Sequence, residues 1–135
     1  MIEWDEMLDE DNLDKFFLTF APMAYTATYK RLRDSTRTEN AIVESILDVY
    51  QRRRHLNPQD LVFAFGEILN KRVAILREKY PVTETDSTQG RKLDEFTQNM
   101  MLEQIHKRIH SPTFRAVDAI ASGGHVSSDF NRSSF

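Results

Sequence analysis

The sequence predicts an all-α protein, a small bundle of three to five helices. Apolar residues recur at intervals of three and four along several separate stretches, which is the periodicity of amphipathic helices. No stretch shows the alternation of apolar and polar residues that is typical of half-buried strands. A length of 135 residues, of which 40% are apolar, is sufficient for one domain with a modest core.

Composition restricts the class of protein further. The chain has no cysteine, which excludes disulfides and thiolate metal sites. No apolar run approaches the roughly 18 residues that would indicate a membrane span. The first residues are acidic, whereas a secretory signal begins with basic residues. We therefore expect a cytoplasmic protein that has no membrane partner.

The charges are unevenly distributed along the chain. Residues 1–14 carry seven acidic and no basic side chains, whereas residues 15–79 carry twelve basic and seven acidic ones. The first segment is predicted to be a disordered acidic arm. The basic middle is either an ordinary solvated surface or a surface that binds a polyanion.

The first two helices are predicted from about residue 11 to 33 and from about residue 36 to 50. Pro22 lies inside the first pattern and predicts a kink or a restart near Ala21. Thr36 and Glu39 have the spacing of a capping box, which predicts the start of the second helix. Val43 and Leu47 fall at the edge of its apolar arc, so they either complete the core or dock on a partner.

A third helix is predicted from Asn57 to Tyr80, since Asn57 suits the cap position, Pro58 the first turn, and Pro81 ends the helix. Phe63 lies outside the apolar stripe of this helix and shares a face with Asn70 and Arg77. An exposed aromatic beside an amide and a guanidinium is suited to stacking on an unpaired base. Packing against another helix is the alternative interpretation. The predicted stripe consists of Leu61, Phe65, Ile68, Leu69, Ile75 and Leu76.

The carboxyl-terminal part predicts a linker at 81–91, rich in Thr, Ser and Gly, followed by a helical extension at 92–122. The extension consists of a fourth helix, about 92–110, and a short helix, about 113–121. Residues 123–135 are rich in Ser and are predicted to form a flexible tail.

Enzymatic residues are not evident, so we predict a protein that is not an enzyme and has no cofactor. His106 and His110 are four residues apart, a spacing that allows metal chelation, but Lys107 stands where a zinc hydrolase motif has Glu. A metal-linked helical protein is therefore a weak hypothesis, and no metal ligand is assigned. The chain has neither a glycine-rich phosphate loop nor a nucleophile elbow.

Residues 21–80 resemble region 2 of bacterial sigma factors, especially the extracytoplasmic-function group. The resemblance rests on Ala21–Tyr25 with Arg31–Asp34, on the helix Thr38–Tyr50, and on Phe63 and Asn70 followed by Val73, Ile75, Leu76 and Arg77. Residues 92–135 do not resemble region 4. The chain is thus similar to region-2-only proteins such as the late sigma factors of T4-like phages. The implied domains are a sigma-region-2-like domain at 11–80, the linker, the extension and the tail.

The resemblance implies two partners, RNA polymerase core and promoter DNA. Docking on the clamp helices of the polymerase is expected to use Asn40, Val43, Glu44, Leu47 and Asp48. Contact with the −10 promoter element is expected to use the basic hinge after the second helix and one face of the third. Those residues are Arg52, Arg53, Arg54, His55, Asn57, Phe63, Asn70, Lys71, Arg72 and Arg77. A sliding clamp, through Ser127–Phe130, or an anti-sigma-type regulator is a further implied partner.

The chain also departs from the family pattern in the docking helix. Asn40 replaces an acid, Val43 a glutamine and Ile46 a phenylalanine. These departures favour an alternative function, that of an all-α protein-interaction regulator that does not contact DNA. The transcription-initiation hypothesis requires Val43, Glu44 and Leu47 to lie exposed beside an open hinge.

Overall fold

The computed structural model describes residues 4–82 and 90–122, without the side chains of residues 121 and 122. Within these ranges it contains helices and no strand, which confirms the all-α prediction. Two single 3-10 turns, Arg53–His55 and Pro58–Asp60, connect the second and third helices. The five helices are α1 (Leu13–Leu32), α2 (Ser35–Gln51), α3 (Leu61–Lys79), α4 (Glu95–Ile109) and α5 (Pro112–Ser122).

Helix α2 lies at the centre of the bundle and packs against α1, α3 and α4. Its side chains Ile42, Ile46 and Val49 are fully buried. Helix α4 contributes Met101, Ile105 and Ile109 to the same core. No helix in the described ranges combines the length and the apolar character that are needed to cross a membrane.

Residues 4–12 pack onto the bundle, so the prediction of a disordered acidic arm is wrong for this segment. Trp4 and Leu8 are buried in the core, and the Trp4 ring meets Phe16 edge-on at a centroid distance of 5.2 Å. Asp9 and Asn12 each accept the other's backbone N–H, at 2.9 and 2.8 Å. Two apolar side chains among many acids are sufficient to anchor the segment, and the acids remain at the surface.

Two local predictions near α1 and α2 are wrong. Helix α1 runs through Pro22, so the predicted restart is wrong, while the alternative of a kink stays a prediction. The carbonyl that loses its donor belongs to Leu18, and both Leu18 and Pro22 are exposed, so water can satisfy it. Helix α2 is capped by Asp34 rather than Thr36, because the Asp34 side chain accepts the Arg37 N–H at 2.8 Å.

The predicted start of α3 at Asn57 is wrong, because Pro58–Asp60 form a separate 3-10 turn, Asn57 makes no side-chain capping hydrogen bond, and α3 begins at Leu61. The end of α3 and the start of α4 follow local chemistry. Helix α3 ends at Lys79, directly before Tyr80 and Pro81, as predicted. Helix α4 begins at Glu95, later than predicted, because Asp94 caps it by accepting the Thr97 N–H at 2.7 Å. This backbone hydrogen bond lowers the pKa of the Asp94 carboxyl. Most of the predicted linker, residues 83–89, and the predicted tail, 123–135, lie outside the described residues.

Candidate functional site

The surface of α2 that was predicted to dock on RNA polymerase is largely buried. Val43 and Leu47 are each 3% exposed, so the prediction that they form a recognition surface is wrong. Helix α4 packs alongside α2 and covers Val43 and Leu47, so these two residues belong to the hydrophobic core. Asn40 is the only one of the five predicted docking residues that the structure leaves fully at the surface.

The two acidic docking residues are engaged within the molecule. The Arg108 guanidinium of α4 donates two hydrogen bonds to the Glu44 carboxylate, which raise the pKa of Arg108. The Arg72 guanidinium of α3 donates to Asp48 at 3.1 Å and to the Ser45 hydroxyl at 3.2 Å. Arg72, predicted to contact DNA, therefore bridges α3 and α2.

Helix α5 covers and neutralises Arg53, the central arginine of the basic hinge, and leaves the neighbouring hinge cations exposed. Arg53 is 7% exposed, and its guanidinium forms a bidentate pair with Asp118 at 3.0 and 3.1 Å. The same guanidinium donates to the Tyr50 carbonyl at 2.6 Å and lies over the Tyr50 ring. The prediction that Arg53 is a DNA-contacting cation is therefore wrong, because Arg53 instead holds α5 in place.

Tyr50 is equally unavailable for base stacking. Its side chain is 7% exposed, and its ring stacks on Phe114 of α5 at a centroid distance of 6.1 Å. Burial raises the pKa of the Tyr50 hydroxyl. Of the other predicted hinge residues, Arg52, Arg54, His55 and Asn57 are exposed, and Arg54 lies 3.7 Å from Asp118.

The outward face of α3 presents most of the predicted DNA-contacting residues to solvent. Phe63 is 69% exposed, and Lys71 and Arg77 are also at the surface. Asn70 is exposed as well, but its side-chain oxygen accepts a hydrogen bond from Arg31 of α1 at 3.2 Å. The structure thus separates these residues from the buried hinge arginine with which they were grouped.

A groove between α2 and α3 combines apolar and cationic side chains. We name it the α2–α3 groove; it has a volume of about 370 Å³. Ile75, which the sequence placed in the core, is 66% exposed on its wall, and Val73 takes the core position instead. The residues that line the groove are Asp48, Arg52, Ile68, Lys71, Arg72, Ile75 and Leu76.

His106 of α4 and His110 directly after it contact carboxylates of α1 and of the amino-terminal segment. His106 Nε2 lies 2.7 Å from the Asp14 carboxylate, and His110 Nε2 lies 2.7 Å from the Glu10 carboxylate. Arg115 donates to His110 Nδ1 at 2.8 Å, so Nε2 of that ring carries the proton shared with Glu10. No group of three His, Asp or Glu side chains within residues 4–82 and 90–122 is placed to hold a metal ion.

Sequence reasoning missed the attachment of α5, although a signal for it existed. Phe114 and Asp118 are four residues apart and share a helix face, and Tyr50 and Arg53 are three apart. The aromatic side chains Phe114 and Tyr50 can stack on each other, and the acid Asp118 can pair with the base Arg53. Helix α5 was recognised as a helix, but its partner surface was not deduced.

Comparisons with family models, with curated proteins and with solved structures gave no match for this chain. The similarity to sigma region 2 therefore rests on the residues quoted from the sequence alone.

The Arg53–Asp118 pair gives a stability prediction. Asp118→Ala leaves a buried guanidinium without its carboxylate, and we expect a loss of about 2–3 kcal/mol in the free energy of unfolding. This value lies at or just below the roughly 3–5 kcal/mol that is typical of broken buried pairs, because the Asp118 side chain remains 18% exposed. The measurement is chemical denaturation of the full chain.

Arg54→Ala is the matched control for Asp118→Ala. Arg54 lies 3.7 Å from the same carboxylate, but 39% of its side chain is exposed, so we expect a loss below about 1 kcal/mol. Equal losses in the two variants would show that the Arg53 pair does not hold α5.

Proposed function

We propose that this chain is a protein-interaction regulator of transcription initiation, whose residues 21–80 resemble sigma region 2 in sequence. It binds RNA polymerase core, or another protein of the initiation machinery, through the α2–α3 groove. The burial of Val43 and Leu47 argues against binding through the outer face of α2. The sequence resemblance supports the role in transcription initiation, and the chemistry of the α2–α3 groove supports its assignment as the binding site.

One observation carries the choice of a protein partner, the exposure of Ile75. An isoleucine that is 66% exposed beside Ile68 and Leu76 forms an apolar wall that gains free energy when a partner covers it. The cations Arg52 and Lys71 line the same groove. Apolar contact surrounded by charged groups is the usual composition of a protein–protein interface.

The same groove is poorly suited to a nucleic-acid backbone. Binding to phosphates depends on several cations that release counterions together. Of the three cations that line this groove, Arg72 is already paired with Asp48, which leaves Arg52 and Lys71. In the adjoining hinge, Arg53 is buried against Asp118. The regulator function therefore fits the geometry better than direct promoter contact through the hinge.

Ile75→Glu is expected to weaken binding to bacterial RNA polymerase core at least about tenfold, which corresponds to about 1.4 kcal/mol. The change removes an apolar contact and buries a carboxylate. Binding is measured by surface plasmon resonance with immobilised core enzyme.

Phe96→Glu serves as the control, because Phe96 is 77% exposed on α4 and does not line the α2–α3 groove. We expect this variant to bind like the unaltered protein. If the unaltered protein does not bind core polymerase, the proposed role in transcription is wrong. If it binds and Ile75→Glu leaves the affinity unchanged, the α2–α3 groove is not the binding site.

A second candidate function is promoter contact through the outward face of α3, without the docking through α2 that the burial of Val43 and Leu47 argues against. The exposure of Phe63 favours it, because stacking of one base on an aromatic side chain contributes about 1–3 kcal/mol. Lys71 lies on the exposed side of the same helix and is suited to one phosphate contact.

For this second function, Phe63→Ala is expected to lower the affinity of the polymerase complex for fork-junction DNA by about 1–3 kcal/mol. Lys71→Ala is expected to reduce the slope of log K against log salt by about 1. Gel-shift titration at several salt concentrations measures both. If neither variant differs from Phe96→Ala, the α3 face does not contact DNA.

A further inference from the structure

A second groove, between α1 and α3, is not used by the proposed function. We name it the α1–α3 groove; its volume is about 260 Å³. Met23, Ala27 and Arg31 line it from α1, and Val62, Gly66 and Asn70 line it from α3. We propose that this groove binds an amphipathic helix of a partner protein, which places an apolar side chain over Gly66 and a carboxylate against Arg31.

Gly66 is the first observation behind this proposal. A glycine in the interior of a helix destabilises that helix relative to alanine, so its presence calls for a reason. The backbone does not require it, since no described glycine has a positive φ. Packing does not require it either, because a Cβ built at Gly66 meets no atom within 4 Å. What the missing side chain does provide is an open floor in the groove.

The walls of the groove are suited to an apolar side chain. Met23 is 70% exposed at one wall, and its unbranched side chain adapts to the shape of a ligand. Ala27 and Val62 leave further apolar surface open along the two helices. A third helix can pack its side-chain ridge into such a space between two helices.

Arg31 supplies the charge that selects the partner. Among the described residues that line the α1–α3 groove, it is the only charged one. Its guanidinium donates to the neutral Asn70 amide, and no carboxylate of the described residues forms an ion pair with it. A half-buried guanidinium of this kind can bind a carboxylate in a bidentate pair.

The spacing within α3 sets the spacing required of the partner. Asn70, which accepts from Arg31, lies four residues after Gly66, or about 6 Å along the helix axis. On a helix lying in the groove, an apolar side chain and a carboxylate that are four residues apart reach Gly66 and Arg31 together. A single cation is too few for a nucleic-acid backbone, so the geometry favours a peptide.

The test is selection of a phage-displayed library of 16-residue helical peptides on the full-length protein. Enriched peptides are expected to share an apolar residue and an Asp or Glu that are four positions apart, in one consistent order. Their affinity, from fluorescence polarisation, is expected to fall at least tenfold with Gly66→Gln, which fills the floor, and with Arg31→Glu. Gly66→Ala and Lys30→Glu, which matches the charge change one residue away, are expected to stay within threefold.

Each contrary result overturns the proposal. These results are absence of enrichment, enriched peptides without a carboxylate, and equal binding to the Gly66→Gln and Gly66→Ala variants. Displacement of the peptide by a single-stranded oligonucleotide would assign the groove to nucleic acid, and concentration-dependent dimers lost in Gly66→Gln would assign it to a second copy. Thermal melts establish folding, and the Arg31→Glu and Lys30→Glu pair decides the outcome if Gly66→Gln is unfolded. None of these results depends on binding to polymerase.

Discussion

The burial of α2 on several sides at once is the constraint on which the rest of the structure depends. Ile42, Ile46 and Val49 form its centre, and Val43 and Leu47 extend the apolar surface beyond what one flanking helix covers. A helix with so wide an apolar arc requires neighbours around most of its circumference. Helices α1, α3 and α4 provide them, and α5 closes the end of α2 through the buried Arg53–Asp118 pair.

This arrangement determines which surfaces are left for partners. The apolar edge of α2 is covered by α4, Glu44 is bound to Arg108, and Arg53, the central arginine of the hinge, is covered by α5. The flanks of α3 stay open because it contacts α2 and α1 along one side only, which leaves one groove against each. The two grooves differ in chemistry, since one combines apolar walls with several cations and the other is apolar with a single arginine.

The sequence was sufficient to predict features that depend on neighbouring residues, such as helices and helix ends. It was insufficient to predict contacts between residues that are distant in the chain. Helix periodicity and Pro81 predicted the helices and the end of α3, because those signals act within one turn. Whether Val43 and Leu47 are buried was not predictable, since residues at the edge of an apolar helix face can be covered either by the chain's own core or by a partner protein. Trp4 and Asp118 were missed for the same reason, as their contacts join residues far apart in the chain.

The central claim, that α4 and α5 seal α2, is tested most directly by thiol labelling, because the chain has no cysteine of its own. Leu47→Cys and Asn40→Cys place one thiol each on α2, at a buried and at an exposed position. We expect a maleimide to modify Leu47→Cys at least about 100-fold more slowly than Asn40→Cys, because labelling of the buried thiol requires local opening. Equal rates in two folded variants would contradict it.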